Sequence, residues 1–217
     1  MSDVSTGAAF APSELVILFG DRFAPEAGLL GWKEEILTSR VKVNAEKLMN
    51  AAIKAALYAV HRSGAAELRL RAGKALFGLM NTQKVFLLQG TGSAQFPAGS
   101  LEAYLLEAAI LESEVESVLK TFIGEESSNP PQRALGLMKR GMSERGMLEA
   151  EMKKSMIFFA TMDYVLPAAT RMAAETESLE PVQQLLREFE QREPELDKAL
   201  QKEIDAARVA MTSSTND

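Results

Sequence analysis

The sequence predicts a mainly α fold, a single globular helical domain with a winged-helix-like unit and a protruding β-hairpin. Three observations carry this. Several segments repeat apolar residues every three to four positions, each opened by a capping residue. Two pairs of short alternating segments interrupt them. The composition, 47% hydrophobic and 25% charged over 217 residues, supplies enough apolar material for one core. The domain is expected to span residues 11–210, with 1–10 and 211–217 as flexible termini.

Taken in order, Ser13 is expected to cap a short helix, SELVILFG, closed by Gly20. A loop with Pro25, Gly28 and Gly31 follows. Asn44 caps a long helix with Leu48, Met49, Ala52, Ala55, Ala56 and Ala59 on one face, and its alanines allow another element close approach. After Gly64, AELRLRAG and QKVFLLQG read as strands joined through KALFGLMNT, so that a helix runs into a two-stranded wing. Ser100 caps LEAYLLEAAILESEVESVLKTFIG, one helix or two. Pro130 and Pro131 break the chain, and Pro131 suits the start of a helix that buries Leu135, Met138 and Met142 and stops at Gly146. MLEAEMKK and ATMDYVLP are strand-like arms around Met156, Ile157, Phe158 and Phe159, four large apolar residues without a polar break. Such a run fits neither strand nor helix periodicity, but it fits a hairpin tip. From Ala168 onward the pattern is helical and acidic, broken at Pro181 and Pro194.

Composition narrows the function. The net charge of −6 weighs against a nucleic-acid partner, yet charge is unevenly placed. Residues 40–84 hold nine Lys/Arg and two Glu, and residues 133–154 hold six and three, whereas residues 101–126 hold one Lys and seven Glu. Either the basic blocks form a face that meets anions, or the helices carry solvated charge. The sequence has no cysteine, which fits a cytoplasmic protein. It predicts no signal peptide and no membrane-spanning segment. Catalytic groups are sparse, and no enzyme activity and no cofactor is expected. His61 is the only histidine and sits at a helix end. GTGS lacks the Lys of a phosphate loop, and Glu112, Glu114 and Glu116 alternate instead of converging as metal ligands would.

The order of these pieces resembles the Golgi phosphoprotein 3 family of phosphoinositide-binding peripheral membrane proteins. A short helix closes in ELVILFGDRFAPEAGLLG, an Ala/Leu-rich helix runs into a basic wing, a Ser-capped acidic helix follows, and a basic helix ends SERGML before the hairpin KKSMIFFATMDYVLP. The similarity covers residues 11–170. It implies a basic pocket for a phosphatidylinositol 4-phosphate-like headgroup, membrane insertion of the hairpin tip, and a role as an adaptor in vesicle trafficking or protein sorting. On that resemblance, Trp32, Arg40, Arg133, Lys139 and Arg140 are the headgroup residues. Lys153, Lys154, Met156, Ile157, Phe158 and Phe159 form the membrane-inserting tip. The second of two arginines that the family places in the helix before the hairpin reads Leu135 here, and the arginine-rich N-terminal arm of eukaryotic members is absent. The expected location is cytoplasmic and peripherally membrane-associated, on the Golgi face in a eukaryote. The alternative is a protein-interaction module whose apolar hairpin docks a client or a second copy.

Overall fold

A computed structural model describes residues 10–75, 80–124, 129–154 and 160–209. The fold is mainly α, with small sheets of two or three strands. Helix α1 (Pro12–Leu18) starts one residue before Ser13, because Pro12 has its φ already set for a helix. The cap position therefore falls on Ala11, whose N–H donates to Glu14 Oε2 at 2.9 Å. Ser13 lies inside the helix, and its N–H and hydroxyl both donate to Glu102. A single 3-10 turn, Gly20–Arg22, follows.

Within the stretch expected as a loop lies a small antiparallel ladder, β1 (Lys33–Glu35) with β2 (Lys42–Asn44), pairing Lys33 with Asn44 and Glu35 with Lys42. Helix α2 (Ala45–Arg62) is capped by Asn44, whose side chain accepts the Lys47 N–H at 3.0 Å. Its predicted apolar face is buried, and Ile53, Leu57, Tyr58 and Val60 are buried as well. A helix apolar over so much of its circumference belongs at the centre of a fold, and α1, α3, α5, α7 and α8 all pack on it.

The wing is β3 (Ala66–Ala75) and β4 (Met80–Gln89), in register from Ala66↔Gln89 to Ala75↔Met80. A two-residue strand, β5 (Ser113–Glu114), adds to β4. The acidic segment divides into α3 (Leu101–Ala109), capped by Ser100, and α4 (Val115–Ile123). The break includes Glu112, which adopts φ 48°, a left-handed backbone that a helix cannot continue through. Helix α5 (Pro130–Glu144) is capped by Asn129 and buries Leu135, Met138 and Met142. The hairpin β6 (Glu149–Lys154) and β7 (Ala160–Val165) follows. The acidic remainder forms α6 (Ala168–Thr176), α7 (Glu180–Arg192) and α8 (Pro194–Val209), and Pro181 and Pro194 lie in the first turns of the last two. One continuous apolar cluster runs from Phe10 to Ala207.

Candidate functional site

Among its described residues, the β6–β7 hairpin is anchored at its root. Leu148 and Leu166 are buried just outside the paired residues. Of the strand side chains that are described, none is buried. Met152 and Met162 face each other across the ladder and are both mostly exposed. Tyr164 is the exception in contact, since it sits half-buried near Arg140 and Glu144, and burial raises its hydroxyl pKa. The ladder ends with Lys153 opposite Thr161 and Lys154 opposite Ala160. Met156, Ile157, Phe158 and Phe159, expected as the inserting tip, lie outside the described residues.

Helix α5 joins this hairpin to the β1–β2 ladder. Gln132 Nε2 donates to the Lys33 carbonyl at 3.0 Å, and the Lys139 ammonium is ion-paired with Glu34. Arg171, one turn into α6, donates from both guanidinium arms to the Thr38 and Leu37 carbonyls, at 2.6 and 2.9 Å. The β1–β2 turn, α5 and the root of β6–β7 are thereby one connected region.

The five residues expected to hold a headgroup are spread across that region. Trp32 is 46% exposed beside the Lys33 end of the ladder, and its carbonyl accepts the Ala45 N–H. Arg40 lies in the turn at the other end, about 13 Å away at ordinary strand spacing, with φ 62° and its guanidinium 3.1 Å from Glu35. Arg133 donates from Nε to the Ile123 carbonyl at 2.5 Å, so it serves the last turn of α4. Lys139 is buried with Glu34. Arg140 is exposed, 2.8 Å from Glu144 one turn on. The geometry brings Arg140 to the hairpin root, while Arg133 and Lys139 each meet a partner within the protein.

Sequence reading overlooked Glu34, Glu35 and Arg171, which neutralise or clamp this region from elements far apart in the chain. Arg145, read in the sequence only as part of the SERGML turn, is ion-paired with the buried Glu14. His61 accepts the Leu68 N–H on Nδ1 at 3.0 Å and lies 3.9 Å from Glu193, tying the end of α2 to β3 and to the start of α8. Described cavities of about 220, 250 and 320 Å³ are lined by residues of α2 with α7, of α2 with α7 and α8, and of α3 with α4. Among the described residues no group of His, Asp and Glu is placed to hold a metal, and no helix is long and apolar enough to cross a membrane. No family model matches the chain, and no curated protein or solved structure is significantly similar to it.

Proposed function

We propose that the chain is a peripheral membrane protein that meets anionic phospholipid through basic residues around α5 and the β6–β7 root and inserts the tip of that hairpin. The observation that supports it most is the pairing of Lys154 with Ala160 at the end of a ladder without buried side chains among those described. The chain between those partners reads Ser-Met-Ile-Phe-Phe, preceded by two lysines. Burying one such apolar side chain is worth about 1.5–3 kcal/mol, and each lysine near an anionic surface adds about 1 kcal/mol. Two such signals together give reversible attachment. In this reading the protein carries no catalytic step. The headgroup is an inositol phosphate of the phosphatidylinositol 4-phosphate kind, and the attached protein acts as an adaptor in sorting or trafficking.

Co-sedimentation with phosphatidylserine-containing vesicles at low salt tests the reading. Wild type is expected in the pellet, and Lys153→Glu with Lys154→Glu is expected to weaken binding at least tenfold. A wild type that stays in the supernatant removes the proposal. The exposed Met152–Met162 pair favours a second reading, docking of a protein partner, because such surfaces repack readily around other side chains. Under that reading the methionines, not the lysines, govern binding, and vesicles are irrelevant.

A further inference from the structure

The loop Gly28–Trp32 was no part of the expected insertion tip, yet it holds the most exposed large apolar side chains described. Leu29 is 98% and Leu30 91% exposed, and Trp32 follows at 46%. Single exposed leucines are common on protein surfaces. Two adjacent ones followed by a half-exposed tryptophan concentrate exposed apolar surface in one loop, and such concentration marks interaction sites.

The loop is firmly presented at both ends. The Ala27 N–H donates to the Lys42 carbonyl at 2.8 Å, and the Asn44 N–H donates to the Pro25 carbonyl at 3.0 Å. Residues 25–27 thus lie along the outer edge of β2, with Glu26 bridged to Val43. On the far side the Trp32 carbonyl accepts the Ala45 N–H at 3.0 Å. Gly31 turns the chain with φ 97°, in the left-handed region that favours glycine.

Charge around the loop selects the occupant. The carboxylates nearby are mostly neutralised from within, Glu34 by Lys139, Glu35 by Arg40 and Glu46 by Arg208. Lys33 and Lys42 have no ion pair among the described residues, against Glu26 alone on the acidic side. The ladder carrying the loop is also continuous, through α5 and Arg171, with the root of the β6–β7 hairpin. An apolar pair with an interfacial tryptophan and unpaired lysines suits the headgroup–acyl boundary of an anionic bilayer.

We infer that the Leu29–Leu30 loop is a second membrane contact, which enters an anionic bilayer surface. This rests on the peripheral-membrane reading above and adds a site to it. Lys139 then has a role distinct from headgroup binding, because pairing with Glu34 removes a negative charge that would repel the same surface.

Trp32 is the only tryptophan in the chain, so its fluorescence reports the loop directly. On adding vesicles of phosphatidylcholine and phosphatidylserine, its emission is expected to move to the blue and to be quenched by brominated acyl chains. Leu29→Ser with Leu30→Ser is expected to weaken vesicle binding at least tenfold while leaving the melting temperature unchanged, since neither side chain packs against the protein. Sedimentation of wild type with unshifted, unquenched Trp32 emission overturns the loop contact and leaves the hairpin reading standing. Absence of sedimentation overturns both. A changed oligomeric state of the double variant with unaltered vesicle binding overturns the lipid assignment in favour of a second copy of the chain.

Discussion

Glu102 shows what burial does to a single carboxyl group. It is fully buried in the first turn of α3 and accepts the Ser13 N–H at 2.8 Å and the Ser13 hydroxyl at 2.7 Å. Burial pushes its pKa up to about 7, only partly opposed by the Ser13 hydrogen bonds, and the nearby Glu14 pushes it the same way. Between the ordinary carboxylate range and about pH 7 the folded state therefore holds a proton that the unfolded chain has released. Stability from this group is greatest below the unfolded pKa and is lost as pH rises through that window, by up to about 3 kcal/mol. Urea unfolding at about pH 5 and about pH 7 is expected to show the decline, and Glu102→Gln is expected to flatten it. Glu203, whose pKa burial also raises, contributes a residual slope of the same sign. None of this was legible in the sequence, because Ser13 and Glu102 are 89 residues apart and Lys139 and Glu34 are 105 apart. The caps at Asn44 and Ser100 were legible, since each reaches an N–H only three residues on.

Among elements, α5 connects the most parts of the candidate site, and its glycines give opposite expectations. A Cβ on Gly141 would lie 2.0 Å from the Gly99 carbonyl oxygen, which is backbone and cannot yield without moving α5. Gly141→Ala is expected to cost at least about 1–3 kcal/mol. At Gly136 a Cβ would meet nothing within 4 Å, so Gly136→Ala is expected to gain about 0.5–1 kcal/mol through helix propensity alone. Chemical denaturation of the two variants checks both signs. Arg145, just past the end of α5, holds the buried Glu14 of α1. Arg145→Ala strands that carboxylate and is expected to cost about 3–5 kcal/mol. The long helices and the two longer hairpins were readable because their periodicity extends over six residues or more. The β1–β2 ladder was not, because three-residue strands reading Lys-Glu-Glu and Lys-Val-Asn have no apolar alternation to detect. Ser13 was misread as a cap because the helix start was set by Pro12 and the carboxylate of Glu14.

At the scale of the molecule, an acidic protein with net charge −6 can reach an anionic surface only by turning a locally basic region toward it. If the protein meets anionic lipid as proposed, Lys33 and Lys42, which have no ion pair among the described residues, would provide that region with the exposed Arg140 and the lysines of β6, and attraction through them is screened over about 8 Å at physiological ionic strength. Vesicle binding is therefore expected to fall when salt is raised, with a residual part that salt does not remove and that belongs to the apolar contacts of the hairpin tip and the Leu29–Leu30 loop. The basic blocks and the apolar run could be read from the sequence. Which cations are consumed by internal partners could not, because those pairs form between distant elements.

The most direct test of tip insertion places a probe in the tip. In a Trp32→Phe background, Phe158→Trp supplies a single fluorophore there. With phosphatidylserine-containing vesicles, its emission is expected to shift to the blue and to be strongly quenched by brominated acyl chains. Emission that stays at its aqueous position, unquenched, while the protein is exposed to excess anionic vesicles would contradict the account.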